Sequence, residues 1–483
     1  MMQTARRFTA TVSVLCMTWL SSCSLAPVFH RPTMDIPQSY KEDHGQWATV
    51  DTSSADKDRG PWWKEYKDDD LDALESKVAA ANENLKAALA RYDEARAIAA
   101  QARAGYFPTL TATSNATREA SSQTIAEVGV DHPFNDFLIG ADLSYELDIW
   151  GKVRNTVKAG ESRATAVGAD LATMDLSLHA ELAMDYFALR GDDASQTLLD
   201  ATVKAYEKAL ELTEARHEGG IAAEADVDQA KTQLGNAKTQ AADNHLKRAQ
   251  LEHAIAVLSG QMPSTFQIEP KNQTVAIAPQ VPSLPSTLIE QRPDIAAASL
   301  RVEAANADIG VARAAYYPDF TFDSTLGFES AFLSKLISTP SLFWSFGPSA
   351  MMPLFDGGRI NALGDQARAA YNESVANYRQ TVLTAFQQVE DSLVALHQLE
   401  QEDISQTAAA TAAKRSLAQA ENRYKGGIAT YLDVVVAQNA SLHSELSSID
   451  ITTRRLSASV MLIKALGGGW HAASTTTPDA AKK

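Results

Sequence analysis

Two long intervals of this chain contain no proline, one between Pro133 and Pro263 and the other between Pro353 and Pro478. Both are rich in Ala, Leu, Glu, Gln and Lys, the residues that lose least on entering a helix. Each is interrupted well inside its length by neighbouring glycines, in "RHEGGIAAEADV" (Arg216 to Val227) and "RYKGGIATYLDV" (Arg423 to Val434). Glycine inside a helix costs roughly 1 kcal/mol relative to alanine, but it takes positive φ readily and so ends helices well. Each interval therefore predicts a long helix, a reversal at the glycines and a returning helix. The first arms, from near Gly151 to Gly219 and from near Gly358 to Gly426, hold roughly 68 residues, or roughly 100 Å at 1.5 Å per residue. The returning arms, to Gly260 and Leu466, hold only roughly 40. The missing length matches a shorter helix that opens each half, which predicts that this helix stacks end to end on a returning arm. A rod of that length has no compact core of its own and must pack against copies of itself.

The glycine tips belong to an internal duplication. "RAGYFPTLT" (Arg103 to Thr111) matches "RAAYYPDFT" (Arg313 to Thr321), and "IWGKV" (Ile149 to Val153) corresponds more weakly to "DGGRI" (Asp356 to Ile360). Three pairs in the same order, at offsets of about 207 to 210 residues, mean a repeat. The opening helix of the first half steps by three and four through Leu71, Leu74, Val78, Ala81, Leu85, Ala88, Tyr92, Ala95, Ala99 and Ala102, a coiled-coil seam. Its counterpart follows a helix-entry proline, Pro293.

Strands are expected between the helices. "DFTFDSTLGFE" alternates apolar Phe320, Phe322, Leu326 and Phe328 with polar Thr321, Asp323, Thr325 and Glu329, at the length of a transmembrane β-strand. "LFWSFGPSAMMPLF" returns, giving strands near 319–330 and 342–355. In the first half, strands near 107–118 and 136–149 alternate less cleanly and also suit an ordinary hairpin. Four strands cannot span a membrane alone, because their edges would be unpaired in lipid and closed barrels need about eight or more. If these strands enter a membrane, several chains share one barrel.

The N-terminus reads as a processing segment. Arg6 and Arg7 precede the apolar run "FTATVSVLCMTWL", which is too short for a stable span, and "LSSC" follows. That order resembles a bacterial lipoprotein signal, with residues 1–22 removed and Cys23 lipidated. Cys16 would leave with the signal, so the mature chain keeps one cysteine and forms no internal disulfide. The formal net charge of -17 argues against nucleic-acid binding, which needs basic patches. Asp68, Asp69 and Asp70 suit a solvated helix start better than a calcium site. The ten histidines lack zinc spacing. No P-loop, CxxC or nucleophile elbow occurs, so neither an enzyme nor a resident cofactor or metal is expected.

"LSSC", "RPTMDIP", the Trp62-Trp63 pair, "VPSLPSTLIEQRPDIAAASLRVEAANADIGVARAAYYPDFTF", "PLFDGGRI", the second tip and the closing "LGGGW" together resemble the outer-membrane factors of tripartite efflux systems, the TolC-like family, in its NodT-type lipoprotein branch. The resemblance runs from Cys23 to Trp470. It implies a mainly α fold with a transmembrane β part: a homotrimer whose coiled-coil hairpins form an α-barrel and whose chains each lend four strands to a shared twelve-stranded β-barrel. It implies a lipid-anchored extended segment over 23–69, repeats over 70–280 and 281–470, and a disordered tail over 471–483. The implied function is a gated, non-enzymatic conduit in the outer membrane. It would export small molecules together with a periplasmic adaptor (membrane fusion) protein and an inner-membrane pump of RND or MFS type. A type I protein-secretion conduit and a structural coiled-coil envelope protein are the alternatives. The adaptor would dock on the tips, Gly219, Gly220, Ile221 and Ala222 with Gly426, Gly427, Ile428 and Ala429. The periplasmic gate would use Asp226, Tyr424, Leu432 and Asp433, with a Tyr424–Asp226 hydrogen bond closing it. Val436 stands where the family carries a second acidic residue, and Ala429 where some members carry a basic latch.

Overall fold

The computed structural model describes residues 24–42, 60–120, 133–272, 288 and 291–470. Cys23, the expected signal over 1–22 and the expected tail over 471–483 lie outside the described residues. The first half runs through a 3-10 turn (Trp62–Tyr66), α1 (Asp69–Ala81), α2 (Glu83–Ala104), β1 (Thr109–Glu119), β2 (Phe134–Glu146), α3 (Lys152–Glu218) and α4 (Glu224–Leu258). The second runs through α5 (Pro293–Ala314), β3 (Asp319–Ser330), β4 (Leu342–Met351), α6 (Arg359–Lys425) and α7 (Tyr431–Ala465). The duplication is exact in helix length: 22 residues in α2 and α5, 67 in α3 and α6, 35 in α4 and α7. The chain forms two compact units, Met1–Thr33 with Arg91–Gly168 and Ala297–Arg379, and Met34–Ala90 with Ala169–Ala296 and Gln380–Lys483.

The first unit carries the sheet, antiparallel throughout in the order β1-β2-β3-β4. β2 and β4 stop at Glu146 and Met351, short of the ends expected near 149 and 355. Each ends because an aspartate behind it turns the chain into a long helix. Asp148 accepts from the backbone N–H groups of Val153 and Arg154, and Asp356 from those of Gly358 and Ile360. These are N-terminal capping bonds.

The opening helix departs from the single rod that its seam predicts. The seam residues are buried or half-buried from Leu71 to Ala102, yet the helix breaks at Asn82, whose ψ of 122° is extended. The Asn82 side chain makes two bonds there. Its Oδ1 accepts from Leu85 N (3.0 Å), capping α2, and its Nδ2 donates to the carbonyl of Leu258 (2.8 Å), the last residue of α4. Gly260 (φ +69°) lets the two helix ends meet, since a Cβ on it would lie 2.5 Å from Ala81 O. The second half repeats the junction with different chemistry. Arg292 Nη1 donates to the carbonyl of Ala465 (2.7 Å), the last residue of α7, and Gly467 (φ +91°) would place a Cβ 2.0 Å from Gln291 O. Returning helices thus meet sequence-distant helix starts end to end.

The second unit has a core of Trp62, Tyr66, Leu71, Leu74 and Val78 against Leu182, Tyr186, Phe187, Ile255, Val460 and Ile463. The acidic run at the start of α1 is not a uniformly solvated face. Asp68 is buried, caps α1 through Asp70 N and Leu71 N, and accepts from Tyr186 Oη (2.8 Å). Asp70 pairs with Arg190 (2.9 Å), and only Asp69 of the three is fully exposed. In the same core His179 stacks on Trp63 (centroids 4.5 Å apart) and meets Glu75 at 2.5 Å and Asp175 at 3.5 Å. Burial pushes the Glu75 carboxyl up to about 7, against the pull of His179. Burial lowers the His179 pKa, but its bonds to Asp175 and Glu75 outweigh this and raise it to about 9.

Two predictions follow from these contacts. Asn82→Ala should lower stability by about 1–3 kcal/mol, since it strands a helix start and a buried carbonyl; chemical denaturation followed by circular dichroism measures it. Both His179 and Glu75 hold protons more tightly in the folded chain, so both make unfolding easier as pH rises. The Glu75 part should be lost from about 4.5 through about 7, and the His179 part from about 6.5 through about 9. Glu75→Gln should remove the lower step in denaturation midpoints taken from pH 5 to pH 9.

Candidate functional site

Two places in the fold have the make-up of functional surfaces. The first is the sheet. Its register puts Thr109, Thr111 and Thr113 of β1, Asp142, Ser144 and Glu146 of β2, Thr321, Asp323 and Thr325 of β3, and Ser345 and Ser349 of β4 on one face. Every acid in the four strands lies on that face: Glu119, Asp136, Asp142, Glu146, Asp319, Asp323 and Glu329. The one base, Arg118, lies on the other. Neighbouring hydroxyls hold the central aspartates: Asp142 accepts from Thr113 (2.8 Å) and Thr325 (2.9 Å), and Asp323 from Ser144 (2.7 Å) and Thr321 (3.0 Å). The opposite face presents Ile139, Leu326, Trp344 and Phe346, all exposed.

A sheet with one apolar and one acidic face suits a boundary between lipid and water. Within the chain, however, it is open, because β1 and β4 are its outermost strands. In lipid those edges need partners, which a further copy of the same sheet supplies. Among the described residues no helix is long and apolar enough to cross a membrane.

The second place is the pair of helix tips. α3 ends at Gly219-Gly220, and α6 at Gly426-Gly427. Gly220 and Gly427 share φ +73°. Ile221 N donates to Arg216 O (2.8 Å) and Ile428 N to Arg423 O (2.9 Å), the six-residue closure of a Schellman turn. A Cβ on Gly220 or Gly427 would meet no atom within 4 Å. The backbone is therefore open there, and glycine is required by φ rather than by crowding. Ile221 and Ile428 point outward, 72% and 75% exposed, while Ala222 and Ala429 are half-buried.

The sequence-predicted gate residues cluster beside these turns, but not through the expected bond. The Asp226 carboxylate accepts from Ala223 N (3.3 Å), and the Tyr424 hydroxyl is buried with no hydrogen-bond partner. The Tyr424–Asp226 bond is not made, because a capping position at the start of α4 holds the aspartate. Asp433 fills the same position in α7, accepting from Thr430 N (2.9 Å) and Thr430 Oγ1 (2.8 Å). Those bonds from Thr430 hold its carboxyl below the usual range. Leu432 and Val436, one turn apart, are both exposed.

Tyr424 is held instead by Arg216, a residue outside the expected gate. The guanidinium lies over the Tyr424 ring (4.5 Å to the centroid), and Nη1 donates to Tyr424 O (3.2 Å). Tyr424 packs on Tyr431 (5.4 Å), and Val434, Val435 and Ala230 complete a small apolar cluster. Burial, then the neighbouring Tyr424 and Asp226, pushes Tyr431 up to about 12. An arginine stands at the same place in both tips, Arg216 and Arg423, and that repetition was the available signal. A cation therefore clasps this tip after all, from α3 rather than from the Ala429 position.

An open, two-faced sheet and two long helices, each reversed at a glycine pair, define a class: a subunit of an oligomeric channel. The sequence profile of the family described as "Outer membrane efflux protein" matches twice, over residues 74–261 and 284–468. The chain is 31% identical over 457 residues to the outer membrane protein OprJ of Pseudomonas aeruginosa, covering 93% of this chain and 94% of OprJ. It is 30% identical to the toluene efflux pump outer membrane protein TtgI of Pseudomonas putida, covering 93% and 96%. Among solved structures, a Pseudomonas aeruginosa membrane protein superposes with a TM-score of 0.84 at 30% identity, covering 93% of this chain and 98% of that one. The CmeC outer membrane channel of Campylobacter jejuni gives 0.84 at 25% identity, covering 93% and 96%. The chain belongs to the outer membrane efflux protein family, and it is an outer-membrane component of an efflux system.

Removing the clasp is predicted to loosen the tip. Arg216→Ala should speed amide exchange over residues 424–431 by about tenfold, the equivalent of one cation–π contact and one charge-assisted bond; exchange mass spectrometry reads it.

Proposed function

We propose that the chain works as a homotrimeric, non-enzymatic conduit with twelve strands in one barrel. The observation that carries this reading is the open four-stranded sheet with every strand acid on one face and an exposed apolar surface on the other. Three copies supply twelve strands, above the number a closed barrel needs. The acidic face then lines the water path, and Ile139, Leu326, Trp344 and Phe346 meet lipid. Cys23 anchors each chain in the outer membrane through its acyl chains. Sedimentation of the detergent-purified protein tests the assembly, and a stable monomer would contradict it.

The tips meet a periplasmic adaptor, which links the conduit to an inner-membrane pump of RND or MFS type. Open backbone at Gly220 and Gly427 and outward-facing Ile221 and Ile428 support a docking role. Small molecules are the cargo, and the pump selects among them. The gate is an apolar constriction rather than two stacked carboxylate rings. Leu432 and Val436 supply it, while Asp226 and Asp433 are engaged in capping their helices. The Arg216–Tyr424–Tyr431 clasp holds the constriction closed. Its loss should raise single-channel conductance in planar bilayers several-fold for Arg216→Ala, while Tyr424→Phe, which keeps the ring and loses only an unpartnered hydroxyl, leaves conductance unchanged. A large rise in Tyr424→Phe would restore the hydrogen-bonded latch.

A further inference from the structure

Residues 24–31 lie along one stripe of α5. Arg313 Nη1 donates to Leu25 O (3.1 Å), Asn306 Nδ2 to Pro27 O (2.8 Å), and Arg31 Nε to Ser299 Oγ (3.3 Å). The helix positions descend by sevens while the segment ascends, so the segment runs antiparallel to the helix on a single face. Gly310 lies on the same stripe, where a Cβ would come within 2.7 Å of Ala26 Cβ and 2.4 Å of Asn155 Nδ2. The groove is thus cut to fit this segment.

Asn155, in the first turn of α3, closes the upper end of the groove and is 4% exposed. Its Oδ1 accepts from Ser24 Oγ (3.1 Å). Its Nδ2 is buried and has no hydrogen-bond partner. A buried amide donor left unpaired is uncommon enough to require an acceptor. The residue next to Ser24 in the chain is Cys23. An acylated N-terminal cysteine carries an amide carbonyl and two ester carbonyls, acceptors that complement an NH2 group. The position suits lipid as well. Trp150 stacks on Tyr317 (4.7 Å), and Lys152 meets Glu146 and Asp319, at the foot of the sheet where aromatic and basic residues mark a membrane interface.

We propose that Asn155 is a receptor for the acylated N-terminus, its Nδ2 donating to a carbonyl oxygen of the acyl groups on Cys23, with the α5 stripe as the dock for the segment that follows. The dock sets where the acyl chains enter the membrane relative to the sheet. It rests on the lipid-anchor reading above.

The test compares full-length proteins purified from outer membranes. Mass spectrometry of the N-terminal peptide first reads the acyl groups; their absence overturns the lipid anchor and the dock together. With acylation present, amide exchange over residues 24–33 is measured in wild type, Asn155→Ala, Ser24→Ala, and a non-acylated Cys23→Ala chain exported on a conventional secretory leader. Asn155→Ala and Cys23→Ala should each speed exchange by about tenfold, the scale of one buried hydrogen bond. Asn155→Ala placed in the Cys23→Ala chain should add no more than Ser24→Ala adds there. Equal exchange in acylated and non-acylated chains overturns the dock and leaves the anchor standing. So does a full Asn155→Ala effect in the non-acylated chain, which assigns Asn155 to the Ser24 hydroxyl alone. If Asn155→Ala does not assemble, wild type against Cys23→Ala carries the same decision.

Discussion

The structure depends on one kind of contact: a side chain at the start of one helix bonding the last carbonyl of another that is remote in sequence. Asn82 does this to Leu258 and Arg292 does it to Ala465. A long helix of 67 residues spans roughly 100 Å, while the returning helix of 35 spans roughly half of that. Without the junctions, each returning helix would end in unsatisfied carbonyls buried against apolar neighbours, at the full desolvation cost. With them, two short helices behave as one strut. Glycines at 260 and 467 are the corollary, because only a residue without a Cβ lets the two backbones touch.

The two halves solve this problem with different residues, asparagine in one and arginine in the other. The tips show the same freedom. Their backbone closure is identical to the degree of φ, yet only the first tip's arginine lies over a tyrosine. Duplication has kept the backbone requirements and released the side chains.

The two carboxylates expected at the gate cap their helices instead. The family resemblance implies a gating role for Asp226 and Asp433, which stand just after the turns. Each is also the third residue of a helix, where a carboxylate can reach back to the capping backbone. In the structure the local bond takes both. What remains exposed one turn on is apolar, Leu432 and Val436. The acids that form an ordered array are those of the sheet, which the register of four strands brings onto one face.

The periodicity of the chain was enough to determine the helices, the duplication, the reversal at each glycine pair and the two-faced character of the strands. Each of these is local: a helix or strand face is set by residue spacing, and a reversal by the φ that glycine permits. Tertiary structure alone decided where the opening helix breaks, since Asn82 is an ordinary helix residue until Leu258 offers it a carbonyl. It alone buried Asp68, which reads as solvent-facing until Tyr186 and the Trp62 core close over it. It also replaced the expected Tyr424–Asp226 bond with an arginine on a ring. Such pairings join residues far apart in the chain, and no spacing rule reaches across that distance; only the packed helices bring the partners within bonding range.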